Sequence, residues 1–289
     1  MTPTAKTIDK NEYFFGHKAC AGCGGSLAVR IALKVLGPRA VAVLPAGCMS
    51  AVGFNFPQLA FLNNAIISTF AGTASMMTGL EAGLRARGER DCTVVGFAGD
   101  GGTADIGLQA LSGALDRGDD ILYICYDNEA YMNTGVQKSS LTPFGARTTT
   151  TPAGARIRGN VREKKNMLQI VAAHGAPYAA TASVGYLDDY MRKVQKAAGL
   201  RGVKYIHVIA PCPTGWGIAP DETVEIAKEA VDCGLFPLCE YEDGVFRQTV
   251  APKGGSIERH IRRQRRFSHL TEEDIAHIIQ NTVRRTSET

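Results

Sequence analysis

The sequence lacks several features that would settle its class at once. No uninterrupted apolar run approaches the roughly 18 residues of a membrane span, and the N-terminal MTPTAKTIDKNEYFFGHKAC has no apolar core of a signal peptide. The expectation is a cytoplasmic chain without a membrane span. There is no short internal repeat, no low-complexity linker and no GxGxxG fingerprint of nicotinamide binding. His17, His174 and His207 lack metal-ligand spacing and are expected to make local hydrogen bonds. Neither sign of charge dominates, since 32 Lys and Arg stand against 28 Asp and Glu. That balance argues against nucleic acid as a partner. The one basic cluster, Arg259, Arg262, Arg263, Arg265 and Arg266, reads first as a solvated face and second as a contact for an acidic protein or neighbouring subunit.

What is present suits one large α/β core in a chain of 289 residues that is 45% apolar and 21% charged. Residues 1–19 form an N-terminal arm, 20–235 alternate strands and helices, and 236–270 form an irregular tail before a last helix. That helix opens on Thr271-Glu-Glu-Asp274, a variant capping box, presents Ile275, Ile278, Ile279 and Val283 on one face, and ends near Arg284 and Arg285. Residues 147–165, rich in Thr, Gly, Arg and Lys, read as an ordered excursion or contact arm.

Eight cysteines without an export signal point to thiols or metal ligands rather than disulfides. Cys92 and Cys125 lie in apolar runs and read as core fillers; Cys233 and Cys239 read as structural. Cys20 and Cys23 differ, because CxxC in a glycine-rich loop lets two thiolates converge on one centre. Cys48 and Cys212 each follow a short apolar strand, and strand C-termini gather along the ligand-binding edge of a parallel sheet. Four such thiolates suit a [4Fe–4S] cluster or a structural zinc, and spacing alone leaves both open, as well as unliganded thiols.

A second constellation starts at the strand Cys92-Thr-Val-Val-Gly-Phe-Ala, which runs through Gly99-Asp100-Gly101-Gly102 into a helix. Ile106, Ala110, Leu111, Ala114 and Leu115 fall on one face of that helix, with Gly118 as its stop. Glycines let backbone N–H groups approach a phosphate, whereas Asp100 would repel one unless a hard divalent cation lay between. The next strand, Ile121 to Tyr126, ends in Asp127-Asn128-Glu129-Ala130. Asp100 and Asn128 therefore end successive strands, where both can supply oxygen to one Mg²⁺.

This Gly-Asp-Gly turn followed by Asn resembles the thiamine-diphosphate (ThDP) fingerprint, in which the Asp and Asn side chains and a main-chain carbonyl, here that of Ala130, hold Mg²⁺ against the diphosphate. GHKACAGCGG, the AGC ending at Cys48, FAGDGGTADIGLQALSGAL, YICYDNEAYMNTGVQKSSLTP, TTTTPAG, KKN, PCPTGW and RFSHL together resemble the β subunit of pyruvate:ferredoxin oxidoreductase. The resemblance implies a doubly wound α/β domain of the diphosphate-binding type. Cys20, Cys23, Cys48 and Cys212 would ligate one [4Fe–4S] cluster. Gly47, Cys48, Gly99, Asp100, Gly101, Gly102, Asn128, Asn133, Thr134 and Gly135 would line the ThDP site, with Asn133 facing the reacting carbon and Trp216 shielding the cluster. It also implies oxidative decarboxylation of a 2-oxo acid to acyl-coenzyme A and CO₂ within a complex of α, γ and δ-type partner subunits. Electrons would pass to ferredoxin, or to NAD through a flavin subunit. No second domain for the aminopyrimidine is evident, so a partner chain is expected to complete the site. A non-redox ThDP lyase with structural zinc, and a metal-stabilised interaction module, are the competing readings. Pyruvate enzymes of the family usually carry Glu-Asn where Ala71-Gly72 stand here, which reads first as drift in a helix-entry loop and second as a different partner surface or substrate, a bulkier acid such as phenylglyoxylate then joining pyruvate as a candidate.

Overall fold

The computed structural model describes residue 4, residues 6–154 and residues 157–287. In chain order the elements are α1 (Gly24–Leu36), β1 (Ala40–Pro45), α2 (Cys48–Gly53), β2 (Phe54–Asn55), β3 (Gln58–Leu59), β4 (Asn64–Ser68), α3 (Thr73–Ala86), β5 (Thr93–Gly99), α4 (Asp100–Ala104), α5 (Leu108–Arg117) and β6 (Leu122–Asp127). There follow α6 (Met167–Ala173), β7 (Tyr178–Ser183), α7 (Leu187–Ala198), β8 (Lys204–Ile209), α8 (Pro213–Trp216), α9 (Thr223–Asp232), β9 (Leu238–Glu242), β10 (Val245–Val250), α10 (Ile257–Arg262) and α11 (Glu272–Ser287).

Eight strands form one sheet in the order β10-β9-β7-β8-β6-β5-β1-β4. The six from β7 to β4 are parallel. Strands β6 and β8 are buried along their whole length, as expected where helices cover both faces of a parallel sheet and strands read as continuous apolar runs. One face packs Ala28, Leu33, Tyr190 and Val194 of α1 and α7 against Phe97 and Ile124. The other packs Met77, Leu111, Leu115 and Val171 of α3, α5 and α6 against Tyr123 and Tyr205. The architecture is the doubly wound one expected.

From β1 the chain moves outward to β4, then returns to β5 and runs the other way to β6. The order therefore reverses between β1 and β5, and open α/β sheets bind ligands in the crevice beyond the C-terminal ends of such strands. Cys48 and Asp100 each follow directly on one of these two ends.

Four expectations need correction. The segment 236–270 is not wholly irregular: β9 pairs antiparallel with β7, and β10 with β9. Asp243 and Gly244 turn the hairpin with φ of 48° and 86°, the left-handed pair that a two-residue hairpin loop requires. Ile106 does not join the buried face of α5. The chain breaks before that helix, because the Asp105 carboxylate is taken by the Tyr131 hydroxyl at 2.8 Å and the Ser140 N–H at 3.1 Å, and Ile106 is left exposed. Cys92 is half-buried ahead of β5 and accepts from the Arg39 guanidinium at 3.2 Å. The basic cluster is not simply a solvated face: Arg263 pairs with Glu222, Glu225 and Glu229 on the α9 side, and Arg266 is buried.

Other expectations hold. Asp274 caps α11, accepting from the Thr271 N–H at 3.0 Å; the Arg285 side chain lies outside the described residues. The 147–165 excursion is ordered where described, with buried Asn160 donating to the carbonyls of Thr142 at 2.7 Å and Arg162 at 2.8 Å; Ala155 and Arg156 lie outside the described residues.

Candidate cofactor and metal site

Three of the four singled-out thiols stand at helix starts. Cys23 is the N-cap of α1, and its sulfur accepts the Ser26 N–H at 3.4 Å. Cys48 is the first residue of α2. Cys212 is the N-cap of α8, and its sulfur accepts the Gly215 N–H at 3.4 Å. Free N–H groups at a helix start favour a thiolate over a thiol. Burial works the other way and pushes the Cys48 thiol up to about 12, with the charges of Cys23, Cys212 and Asp100 adding to it. Burial also raises Cys212, which feels Cys23 and Cys20. The topology thus brings all four sulfurs into one electrostatic neighbourhood, at which a metal centre would stabilise the ionised forms. Among the described residues no three of them lie within 4.8 Å of one another.

The oxygen constellation forms beside it. Asp100 is 1% exposed and accepts from the Ser139 hydroxyl. The Asn128 amide nitrogen donates to the Ala130 carbonyl at 2.8 Å and to Asp100 Oδ1 at 3.0 Å, so the three groups converge on one point. Burial and the nearby Asp127 raise the Asp100 carboxyl well above the usual range, so a positive ion there would restore its charged form.

Glu129 bends the loop that carries Asn128 and Ala130, with φ of 69°. Few non-glycine residues occupy this region, and such strain clusters at sites whose surroundings enforce it. The enforcement is visible. The Glu129 N–H donates to Asp127 Oδ1 at 2.9 Å and its carbonyl accepts from Thr142 at 2.7 Å. Its carboxylate takes Lys164 at 2.6 Å and Arg266. Lys164 and His207 both reach Asp127 at 2.8 Å. Tyr131 and Gln137 then exchange backbone hydrogen bonds of 2.9 and 3.2 Å, pinching off a tip in which Asn133, Thr134 and Gly135 are exposed. Val136 closes that tip at φ 62°, a second enforced bend. The Asn133 backbone lies close enough to Cys48 to lower its thiol against the effect of burial, so the oxygen site and the thiol site meet through the strand-end loops. Gly47 and Gly102, from opposite walls of the crevice, both lie against the Phe70 ring.

The other histidines and the tryptophan fall into place locally. His17 accepts from Ala19 N–H at 3.3 Å, and His174 bonds the Ile170 carbonyl at 2.7 Å. Trp216 is buried and donates from Nε1 to the Asn128 carbonyl at 2.8 Å. Sequence reasoning missed the roles of Asp127, Glu129, Ser139, Lys164 and Arg266. A signal was present: acids on both sides of Asn128, at the end of an apolar strand, must find buried cations.

Fold and crevice define a ThDP-enzyme domain, and residues 45–208 match the family of the thiamine pyrophosphate enzyme C-terminal TPP binding domain. Over 264 residues the chain is 53% identical to pyruvate synthase subunit PorB of Methanothermobacter marburgensis, covering 91% of this chain and 92% of the relative. It is 49% identical over 278 residues to ketoisovalerate oxidoreductase subunit VorB of Pyrococcus horikoshii, covering 93% and 89%. The fold also matches a solved 2-oxoglutarate:ferredoxin oxidoreductase of Magnetococcus marinus, with TM-score 0.60 at 23% identity over 72% of this chain and 70% of that one. The chain belongs to the family of β subunits of 2-oxoacid:acceptor oxidoreductases, and is an enzyme subunit.

Proposed function

We propose that the chain is the catalytic β subunit of a CoA-acylating 2-oxoacid oxidoreductase. In this reading Asp100, Asn128 and the Ala130 carbonyl hold Mg²⁺ against the diphosphate of ThDP, and Cys20, Cys23, Cys48 and Cys212 ligate a [4Fe–4S] cluster. The observation that carries it is the convergence of the buried Asp100 carboxylate, the Asn128 amide and the Ala130 carbonyl, the amide standing 3.0 and 2.8 Å from the other two. A hard divalent cation bound among them would replace the amide's two hydrogen bonds with coordination by the amide oxygen, the carboxylate and the carbonyl. Relatives named as oxidoreductase subunits favour a centre that takes electrons, a [4Fe–4S] cluster, over a redox-inert zinc.

Bound there, ThDP supplies the chemistry that decarboxylates a 2-oxo acid, and the cluster supplies one-electron transfer toward ferredoxin or a flavin subunit. The chain's own residues set the geometry. Gly101 and Gly102 let the Tyr131 and Phe70 rings lie close against the β5 end, and with Gly99 and, opposite, Gly47 they would leave backbone N–H groups to the diphosphate. Thr134 and Gly135 approach that group from the loop tip, and Asn133, exposed beside Cys48, meets the substrate. The Asn133 backbone beside Cys48 sets the reacting centre next to the electron exit. Relatives named for pyruvate and for ketoisovalerate are 53% and 49% identical, so similarity leaves open pyruvate or a bulkier acid such as phenylglyoxylate. Ala71 and Gly72 follow Phe70 at the crevice, and a Cβ on Gly72 would meet Thr69 Oγ1 at 2.5 Å, so a larger residue there would displace that side chain.

Anaerobic purification followed by iron, sulfide, zinc and thiamine analysis tests this reading. Iron and sulfide in equal amounts, near four each per chain in a [4Fe–4S] stoichiometry, are the expected result; a colourless zinc protein would sink it. Asp100→Ala should abolish Mg²⁺-dependent ThDP binding and leave the iron content unchanged.

A further inference from the structure

Arg266 belongs to the RFSHL segment, far in sequence from every cofactor residue, yet its side chain reaches both loops. It is buried, donates to the Glu129 carboxylate and, from Nη2 at 2.7 Å, to Gln264 Oε1. Its guanidinium carbon stacks 3.9 Å from the Trp216 ring centre. Trp216 in turn bonds backward to the Cys212 carbonyl through its N–H, 2.8 Å, and forward to the Asn128 carbonyl through Nε1, 2.8 Å. The stacked pair therefore grips residues 128 and 129 with one end of each side chain while standing on the helix that Cys212 opens. Cys212 is among the charges that act on Arg266.

Resting on the cofactor assignment above, we infer that Arg266 is a positioning residue with two effects: it holds the bent Asn128–Ala130 loop in its cation-binding shape, and it places a fixed positive charge beside the Cys212 side of the cluster. The first effect requires the planar, forked guanidinium, which both stacks and pairs with a carboxylate, as an ammonium cannot. The second follows from charge alone. A nearby cation stabilises the reduced, more negative cluster and raises its potential; Glu129 opposes it.

Removal of either partner thus has the same consequence for the loop and opposite consequences for the cluster. In the anaerobic, cluster-loaded complex, Arg266→Gln should raise the Mg²⁺ concentration for half-maximal ThDP binding about tenfold. It should also lower the midpoint potential, by an amount on the order of a tenfold change in oxidised:reduced ratio, about 59 mV for one electron. Glu129→Gln should raise the Mg²⁺ requirement likewise but raise the potential. Arg266→Lys, which keeps the charge should the other two fold poorly, should raise the Mg²⁺ requirement at a nearly unchanged potential. Calorimetric Mg²⁺ titrations with ThDP and EPR-monitored redox titrations read both quantities. Potentials moving the same way in the two glutamine variants, or an unchanged Mg²⁺ requirement in Arg266→Lys, would overturn the inference. A wild-type complex without a cluster signal would instead overturn the cofactor assignment.

Discussion

Glu129 shows how much of this site is decided by single residues the sequence does not advertise. Asp100 and Asn128 were legible because a glycine turn and a strand end announce them. Glu129, Lys164 and Arg266 were less so: the acids flanking Asn128 announce a need for buried cations, but those cations come from segments 35 and 137 residues away, and nothing local says which. His260 belongs to the same buried layer. It is nearly inaccessible, accepts from Gln264 at 3.0 Å, and burial with the charges of Arg266 and Arg263 lowers it from 6.5 to about 3. A histidine whose folded value is depressed contributes stability that is present above its unfolded value and is lost as pH falls below it. Between pH 6.5 and about 3, the unfolded chain binds this proton and the folded one does not, a destabilisation on the order of 1.4 kcal/mol per pH unit. His260→Gln should flatten the acid limb of a denaturation-midpoint profile relative to wild type. An identical acid slope in the variant would show that other groups carry it.

Elements matter here through their ends. Helix α1 delivers Cys23 to the side of Cys212 because its first turn lies directly on the chain leaving β8: the Gly24 N–H donates to the Pro211 carbonyl at 3.1 Å. A Cβ on Gly24 would stand 2.7 Å from the Ala210 carbonyl carbon and 2.8 Å from the Pro211 oxygen. Both are backbone atoms with little room to yield. Gly24→Ala should therefore push α1 off β8, separate Cys23 from Cys212, and cost roughly 1–3 kcal/mol of stability. Reduced iron content with ThDP binding retained is the expected readout; full iron occupancy would mean that the two ends are not rigidly coupled. The strand-to-helix rhythm that places these ends was readable from apolar runs and glycine stops, as at Gly118, where φ is 67°. What escaped was governed by contacts rather than local pattern. Asp105 breaks the helix start because Tyr131 and Ser140 claim its carboxylate. The β9–β10 hairpin was within reach, since Asp243-Gly244 between two strand-like runs is a strong turn signal.

On the scale of the whole molecule, both edges of the sheet expose apolar side chains, but to different extents. Strand β10 exposes Val245 and Phe246 beside Arg247, Gln248 and Thr249, the charged and polar dressing that discourages further pairing. At the opposite edge, β4 and the β2–β3 hairpin beside it expose Phe56, at 92%, with Leu59, Leu62, Ile66 and Ile67. So many exposed large apolar side chains on an edge strand have the composition of a partner-binding surface. The edge also leads into Ser68–Gly72, where the Phe70 ring lies 5.9 Å from that of Tyr131 at the base of the exposed Asn133–Gly135 tip, so a chain docked here would stand near the crevice. Relatives of this chain are named as subunits, and a partner chain seated there would bring its own groups to the open side of the cofactor. The isolated β chain is then expected to bind ThDP and cluster but to show no CoA-dependent turnover, with activity returning when the partner subunits are added. Leu59→Asp combined with Ile66→Lys lies outside the cofactor residues, and should leave iron and ThDP content intact while abolishing co-purification with the partners and the turnover that depends on them. Robust turnover by the isolated chain, or an assembled and active complex carrying the double substitution, would show that the partner docks elsewhere or is dispensable.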